Sequence, residues 1–317
     1  MRRAFVTGAT GFVGSYLAEQ LVRDGVAVVA GVRTRPTRPL PGVRYAAFDL
    51  ERPTAWELGA LQDVDCVFHL AARVHVMKQA AQDAQRFDAI NVAATRTLAE
   101  CAASAGVGRF VYLSSIKVNG ERTDTRPFTA TDRPAPQDHY GRSKWNAEQA
   151  LQATSVSQGL RVAVVRPPLV YGPRVGANFR RLLSWVRAGV PLPFGSIDNR
   201  RSLVNVWNLV DLLQTVARVE DSFGTWLVSD DQDVSTGRLV EVMSDALGAR
   251  KARLWKVRVP LLRAMGTLAG RSAEVSRLVD SLQVDVRTTC EILRWRPRMT
   301  LEEGVARTAA WFSELEP

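Results

Sequence analysis

Two residues that can handle a proton, Tyr140 and Lys144, stand four positions apart in the run YGRSK at 140–144. Because four residues make about one helical turn, both side chains would lie on one face of a helix. A free tyrosine titrates near ~10, and a neighbouring ammonium group favours its phenolate form. Such a pair can pass a proton to or from a carbinol oxygen while hydride moves to or from the carbon. The spacing therefore indicates alcohol or ketone redox chemistry, although a Tyr-x-x-x-Lys pair by itself also occurs on protein surfaces without a catalytic role.

A serine pair, Ser114 and Ser115, ends an apolar run that begins at Phe110. In open parallel sheets, ligands bind at the carboxyl ends of the strands. A serine hydroxyl at this point can hydrogen-bond the substrate oxygen that the tyrosine serves, and a strand-end cap is the alternative interpretation.

Three glycines at intervals of three residues follow the first apolar run, in the turn TGATGFVG at 7–14. Glycine lets the backbone turn tightly, lets a pyrophosphate approach, and lets the next helix pack closely with its first amides facing the anion. The turn therefore predicts a dinucleotide site, to which we assign Gly8, Thr10, Gly11, Phe12, Val13 and Gly14.

The second strand ends without the acidic residue that binds the ribose 2′-hydroxyl of NAD. Arg33 stands there instead, with Arg35 two positions later. A guanidinium suits a 2′-phosphate through charge-assisted hydrogen bonds. NADP is the predicted cofactor and NAD the alternative, because arginine is abundant throughout this chain.

Strand and helix patterns alternate through the first 170 residues. Strands are predicted at 3–7, 26–32, 66–70, 110–114 and 162–166, and helices at 12–23, 81–105 and 140–158. This alternation is typical of an α/β fold with a doubly wound parallel sheet. We predict a Rossmann domain over 1–170 plus about 203–229, with a late strand at 226–228. A smaller, helix-rich substrate-binding lobe would occupy about 171–202 and 230–317.

The composition is that of an ordinary globular protein, with 46% hydrophobic and 23% charged residues in 317, which excludes disordered and fibrous classes. No charge-free apolar run approaches the ~18 residues of a spanning helix, and the N-terminus lacks a signal-peptide core. A cytoplasmic protein without membrane insertion is expected. The three scattered cysteines fit free thiols, and the dispersed histidines predict no metal site.

The net charge of +10 is carried by arginines spread along the chain. The densest basic run, at 250–258, has five basic residues and includes Trp255. A solvated face or loop is favoured there over a nucleic-acid strip, so no nucleic-acid partner is expected.

Taken in chain order, these motifs resemble those of the extended short-chain dehydrogenase/reductase family, within it the NAD(P)-dependent sugar-nucleotide epimerases, dehydratases and 4-reductases. The resemblance spans nearly the whole chain. The matching segments are the cofactor turn at 7–14, Asp49-Leu50 beside adenine, HLAA at 69–72 along the cofactor, Asn91 in the fourth helix, Ser115, Tyr140, Lys144, and RPPLVYGP at 166–173 over the nicotinamide.

The resemblance implies catalytic roles for Ser115, Tyr140 and Lys144. It also implies cofactor contacts from Tyr140, Lys144, Asp49, Leu50, Leu70, Ala71, Ala72, Asn91, Ser114, Pro167 and Val170. The implied substrate is a nucleoside-diphosphate sugar, UDP-linked, bound by Ser115, Lys117, Tyr140, Asn178, Arg201 and Arg277. Asn178 and Arg201 match the residues that hold the diphosphate, which requires cationic and amide donors. Family members also commonly form homodimers through two helices, which here fall near 81–105 and 143–158.

Two departures from the epimerase pattern bear on the reaction. Arg33 replaces the acidic residue of NAD-retaining epimerases, and Lys117 and Asn119 replace a threonine and a tyrosine. The runs at 73–76 and 114–120 resemble bacterial epimerase-like enzymes whose relatives reduce a 4-keto sugar nucleotide, such as the N-acetylquinovosamine precursor. The main prediction is therefore 4-keto reduction in surface-polysaccharide precursor synthesis. The alternatives are a UDP-hexose 4-epimerase, a reductase of a non-nucleotide ketone, and a non-catalytic NAD(P)-binding sensor.

Overall fold

The computed structural model describes residues 1–73, 88–249 and 252–315. The strands of the central sheet are β1 (Arg3–Thr7), β2 (Ala27–Val32), β3 (Val43–Ala47), β4 (Cys66–His69), β5 (Arg109–Leu113), β6 (Val162–Arg166) and β9 (Gly224–Leu227). Every pairing is parallel, in the order β3-β2-β1-β4-β5-β6-β9. Two further strands, β7 (Leu169–Tyr171) and β8 (Leu203–Asn205), form a separate parallel pair.

Ten α-helices are found in the described ranges. They are α1 (Phe12–Arg23), α2 (Ala94–Ser104), α3 (His139–Gln158), α4 (Ala177–Arg187), α5 (Val206–Arg218), α6 (Thr236–Ala246), α7 (Val259–Leu268), α8 (Ser272–Val279), α9 (Arg287–Leu293) and α10 (Leu301–Leu315). A π-helical turn at Asp88–Ala93 precedes α2. Of the helix predicted at 81–105, the part at 81–87 lies outside the described residues.

Apolar side chains from helices cover both faces of the sheet. Leu17 of α1 and Leu213 of α5 belong to the core on one face, whereas Leu98 of α2 and Leu151 of α3 belong to the core on the other. Strands buried on both faces are continuous apolar runs, as β4 and β6 are. The predicted doubly wound α/β fold is confirmed.

A third core lies outside the sheet and joins the helices of the C-terminal part. Its members include Phe179 of α4, Val240 of α6 and Phe312 of α10, with Tyr171 at the end of β7. α5 and β9 contribute instead to the core of the sheet. We therefore retain the division into 1–170 plus about 203–229, and about 171–202 plus 230–317, as a proposal.

Three strands escaped the sequence prediction for different physical reasons. β3 lies at one edge of the sheet and only one of its five residues is buried, so it lacks the continuous apolar run of the central strands. β7 and β8 have three residues each, which is too short for periodicity to register.

Candidate active site

A cleft of about 670 Å³ opens at the carboxyl ends of β1, β2, β4 and β5. From β1 the strand order proceeds to β2 and β3 on one side and to β4, β5, β6 and β9 on the other. The point where the order reverses, between β1 and β4, is where doubly wound sheets bind ligands. The predicted residues that line the cleft are Gly8, Thr10, Gly11, Phe12, Val13, Gly14, Arg33, Asp49, Leu50, Leu70, Ala71, Ala72, Ser114, Ser115, Tyr140, Lys144, Pro167 and Val170.

The glycine turn leaves no room for side chains. Gly8 has a positive φ of +69°, and a Cβ on it would lie 2.8 Å from the backbone nitrogen of Ala71. A Cβ on Gly14 would lie 2.0 Å from the carbonyl oxygen of Gly8. Gly11 caps α1 without a side-chain hydrogen bond, so the first amides of the helix stay open to an anion. This cradle fits the pyrophosphate of a nicotinamide dinucleotide.

A buried polar network fixes the backbone next to the glycine turn. The Thr7 hydroxyl accepts hydrogen bonds from the amides of Leu70 at 3.2 Å and Ala71 at 3.1 Å. It therefore donates its own proton to Nδ1 of His69, 2.7 Å away, which leaves the ring proton on Nε2 for Thr95 Oγ1 at 2.8 Å. Burial, aided by the Lys144 charge, lowers the pKa of His69 to about 3, so the ring is neutral.

Asn91, for which the resemblance predicts a cofactor contact, forms hydrogen bonds to protein groups beside the cleft. Its side chain is buried and does not line the cleft. Oδ1 accepts from the amide of Arg73 at 2.8 Å, while Nδ2 donates to the Arg73 carbonyl at 3.2 Å and to Ser143 Oγ at 3.0 Å. Because all these bonds point into the protein, Asn91 acts on the cleft by holding the segment after β4 against α3.

The three predicted catalytic residues meet at one end of the cleft. Tyr140 lies in the first turn of α3, whose N-cap Asp138 accepts a hydrogen bond from the amide of Gly141 at 2.7 Å. Lys144 is buried one turn later, and its Nζ donates to the carbonyl of Leu113 at 2.8 Å. Ser115 Oγ accepts from the amide of Lys117 at 3.3 Å.

The protonation of this group differs from the sequence expectation. Burial lowers the pKa of Lys144 to about 7, partly offset by the charge of Glu148. Burial raises the pKa of Tyr140, and the charge of Asp138 raises it further. The Lys144 ammonium lies 4.5 Å from the ring centroid of Tyr112 and 5.9 Å from that of Tyr140. Burial and the Asp138 charge therefore favour the neutral phenol of Tyr140, whereas the Lys144 charge favours its phenolate.

A buried ion pair behind the catalytic residues escaped the sequence prediction. Glu148 accepts hydrogen bonds from Ser114 Oγ and from Nε of Arg166, the latter at 3.0 Å. Arg166 also donates to Oδ1 of Asn119 at 2.9 Å. Glu148 follows Lys144 by four residues, as Lys144 follows Tyr140, so all three lie on one face of α3. This spacing could have identified Glu148 from the sequence.

Lys117, for which the resemblance predicts a role in binding substrate, pairs with protein carboxylates. Its ammonium group pairs with Glu121, at 3.1 Å, and with Asp138, and it does not line the cleft. Since Asp138 caps α3 and Lys117 follows Ser115 by two residues, the pair ties the serine turn to the first turn of the tyrosine helix.

The far end of the cleft carries the residues predicted to hold the adenosine. Arg33 is exposed there, and within the described ranges its guanidinium forms neither an ion pair nor a side-chain hydrogen bond. Asp49 Oδ1 accepts from the amide of Glu51 at 3.1 Å and stabilises the turn that lines the cleft. The cleft also contains Gly31, Phe48 and Glu51, which sequence reasoning missed.

The predicted diphosphate residues lie outside this cleft, in the lobe. The guanidinium of Arg201 donates to the carbonyl of Asp280 at 2.9 Å. Burial lowers the pKa of Arg201; the Asp280 charge opposes this, and the Arg277 charge adds to it. Arg201 and Arg277 are thus near enough to repel each other. Asn178, in the first turn of α4, is exposed, and its Oδ1 accepts from Arg181 Nη2 at 2.8 Å.

Residues 4–228 match the family model described as the NAD dependent epimerase/dehydratase family. The chain belongs to this family. It is an NAD(P)-dependent enzyme of the extended short-chain dehydrogenase/reductase type, and its cofactor is a nicotinamide dinucleotide.

Individual relatives span nearly the whole chain. It is 41% identical over 313 residues to a UDP-glucose 4-epimerase of Vibrio cholerae, covering 97% of this chain and 94% of the relative. MoeE5, solved with UDP-glucose and NAD, is 28% identical with a TM-score of 0.78, covering 99% and 100%. The UDP-glucose 4-epimerase of Thermotoga maritima, at 22% identity and a TM-score of 0.81, covers 99% and 100% and shows the same fold. Among them, the 4-epimerase of Vibrio cholerae, at 41% identity, favours the epimerase alternative over net 4-keto reduction.

Two other features were sought in the described part of the chain. There, no helix is both long and apolar enough to cross a membrane. Nor do three histidine, cysteine or acidic side chains in that part come together as metal ligands would.

Proposed function

We propose that this enzyme is an NAD(P)-dependent 4-epimerase acting on a UDP-hexose. The observation that carries the proposal is the convergence of Ser115, Tyr140 and Lys144 at one end of a cleft whose other parts fit a dinucleotide. The 4-epimerase relative at 41% identity supports the choice of reaction.

Each of the three side chains has a distinct task at the C4 hydroxyl. Ser115 receives a hydrogen bond from the Lys117 amide, and in the described part of the chain its hydroxyl donates to no protein acceptor. Its proton is therefore available to the substrate oxygen. Tyr140, once ionised to its phenolate, takes the C4 hydroxyl proton as hydride leaves the carbon, and as the phenol it returns that proton when hydride comes back. A nicotinamide ring, when bound, would supply the acceptor and donor for the hydride.

Lys144 positions the site and adjusts its charge. With a pKa of about 7, its side chain exchanges between ammonium and amine near neutral pH. The contact to the Leu113 carbonyl at 2.8 Å holds the ammonium charge beside the strand end where Ser114 and Ser115 follow. A cation at this place favours the phenolate form of Tyr140, which is the form that can accept the C4 proton.

The diphosphate of the sugar nucleotide is assigned to Arg201 and Arg277. The Arg277 charge disfavours the ionised guanidinium of Arg201, and a bound anion would offset that effect. Asn178 and the open N-terminus of α4, which Gly176 caps without a side-chain bond, add amide donors. The UDP group is inferred from relatives such as MoeE5, which was solved with UDP-glucose.

Net 4-keto reduction is retained as a second candidate because of Arg33. The Arg33 guanidinium has no ion-pair partner among the described residues, and such a group beside the adenosine end suits NADP(H), the cofactor of an enzyme that consumes reducing equivalents. An epimerase regenerates its cofactor in every cycle and needs no exchange with free NADPH.

The deciding experiment uses the purified protein without added cofactor. UDP-glucose, UDP-galactose and their N-acetylhexosamine counterparts are incubated separately, and products are separated by chromatography and identified by proton NMR. Epimerisation predicts interconversion of one C4 pair, abolished in Tyr140→Phe. Stoichiometric NADPH consumption with a UDP-4-keto sugar, without interconversion of any C4 pair, would establish the reductase instead. The homodimer predicted through α2 and α3 is tested on the same protein by sedimentation velocity.

A further inference from the structure

The helix α7 is apolar on both of its faces. Its inner residues Leu262 and Gly266 are buried, and a Cβ on Gly266 would lie 2.5 Å from Val275 of α8, so these helices touch closely. Its outer residues Leu261, Met265 and Leu268 are 56%, 56% and 90% exposed. A surface helix ordinarily carries polar residues on its outer face, and a helix that is apolar all round is normally covered.

The stretch of sequence around α7 is strongly basic. From 246 to 273 the sequence has seven basic residues and no acidic one. Lys256, Arg258 and Arg271 are exposed, and within the described residues none of their side chains forms an ion pair. Trp255 is 60% exposed in the same segment. We call Trp255, Leu261, Met265, Leu268, Lys256, Arg258 and Arg271 together the α7 patch.

We propose that the α7 patch docks this enzyme on the surface of an anionic lipid bilayer. The apolar stripe at positions 261, 265 and 268 would enter the boundary between headgroups and acyl chains, as interfacial helices do. The three cations would face lipid phosphates, and an exposed tryptophan suits the same depth. A helix of ten residues is about 15 Å long, so it lies on the bilayer and does not cross it.

The chemistry of the α7 patch favours lipid over a protein partner. The cations flank α7 in sequence, and within the described residues none of them has a carboxylate partner, which matches the diffuse negative charge of a bilayer. By contrast, Arg263 of the same helix already pairs with Asp280 at 2.5 Å. The neighbouring α8 carries Arg277, so docking through α7 would hold the proposed diphosphate end of the enzyme near the membrane surface.

Vesicle cosedimentation tests the proposal. The purified enzyme is mixed with vesicles of phosphatidylcholine alone or with about one third phosphatidylglycerol. We expect binding only to the acidic vesicles, weakened as salt rises because exposed charges are screened. The triple variant L261Q/M265Q/L268Q and the double variant K256E/R258E should each lose at least about tenfold in vesicle affinity. Both should keep wild-type activity without vesicles.

Matched controls separate the α7 patch from general surface effects. Ile292, at 57% exposed, has nearly the exposure of Leu261, so I292Q controls for lost apolar surface. R23E/R38E changes the net charge as much as K256E/R258E does. Both controls should bind acidic vesicles like the wild type, and thermal melts verify folding.

Two results with vesicles would overturn the proposal: no binding of the wild type to acidic vesicles, or binding that persists in both α7 variants. If the triple variant instead splits an oligomer in sedimentation velocity and vesicles bind neither protein, the patch joins two copies of the chain and the proposal is wrong.

Discussion

Glu148 and Arg166 form a buried ion pair whose side chains are 5% and 3% exposed. Glu148 belongs to the helix of Tyr140 and Lys144, and Arg166 ends β6 directly before Pro167. Ser114 donates to the same carboxylate. The pair therefore joins the tyrosine helix, the serine turn and the segment over the nicotinamide end of the cleft.

Removing one partner of this pair should destabilise the protein more than removing both. Glu148→Met leaves Arg166 as an uncompensated buried charge, which commonly costs about 3–5 kcal/mol. The double variant E148M/R166M should recover much of the unfolding free energy, as measured by urea titration. Its kcat should stay low, because Ser114 has lost its acceptor. A double variant as unstable as the single one would contradict this account.

The parts of the fold and site that sequence predicted are those with local signals. The turn at 7–14 carries its glycines within eight residues, and the helix of Tyr140 and Lys144 has its spacing within one turn. The Glu148 to Arg166 pair was missed because it joins a helix to a strand. Which residue of a helix faces which residue of a strand cannot be predicted from local sequence patterns.

Asn91 and Lys117 illustrate what sequence position does not specify. The resemblance supplied the position of each residue, but a position does not tell where a side chain points. Asn91 turns inward to the backbone of Arg73, and Lys117 turns to two carboxylates. Arg73 is 18 residues from Asn91 and Asp138 is 21 residues from Lys117, so only the folded structure brings these partners together.

Tyr140→Phe should preserve folding and cofactor affinity while lowering the turnover rate by ~10²–10⁴-fold. The phenol is the acid and base at C4, and phenylalanine keeps its ring packing. Turnover is measured with the substrate pair found above, and cofactor affinity by fluorescence titration. Near-wild-type turnover would remove Tyr140 from the mechanism.

Arg33→Ala should weaken NADP(H) binding and hardly change NAD(H) binding, because only NADP(H) carries a 2′-phosphate for the guanidinium. The measured quantity is the ratio of the two dissociation constants. Arg38→Ala, another exposed arginine of the same loop, serves as the control and should leave the ratio unchanged. An equal loss of affinity for both cofactors would show that Arg33 stabilises the loop and does not bind the 2′-phosphate.

His69 should make the apoprotein sensitive to acid. Its pKa is about 3 in the folded protein and ~6.5 when unfolded, so below ~6.5 the unfolded chain binds more protons. As the pH is lowered from ~6.5 to about 3, protonation of His69 in the unfolded chain should therefore reduce the free energy of unfolding by about 1.4 kcal/mol for each pH unit. His69→Gln should remove that part of the slope in urea titrations at several pH values. An unchanged slope in a folded variant would show that the imidazole does not titrate on unfolding.

Arg201→Ala should weaken sugar-nucleotide binding and spare the cofactor. Arg201 lies near Arg277, outside the dinucleotide cleft, and the proposed diphosphate would neutralise both guanidinium groups. Truncating one member of a desolvated charge pair commonly costs about 2–5 kcal/mol, whereas a screened surface arginine contributes about 0–1 kcal/mol. We expect the dissociation constant of UDP, measured by calorimetry, to rise at least about tenfold, or about 1.4 kcal/mol.

A structural role for Arg201 is the competing account, because its guanidinium also donates to the Asp280 carbonyl. Arg201→Lys distinguishes the two roles: it keeps the charge near the proposed diphosphate but cannot bind it in the bidentate manner. If Arg201 binds the diphosphate, the lysine variant should have an intermediate UDP affinity and both variants a nearly unchanged cofactor affinity. A variant that melts much earlier yet binds UDP as the wild type does would assign Arg201 to the stability of the lobe. The non-nucleotide ketone reductase would then become the better account of the substrate.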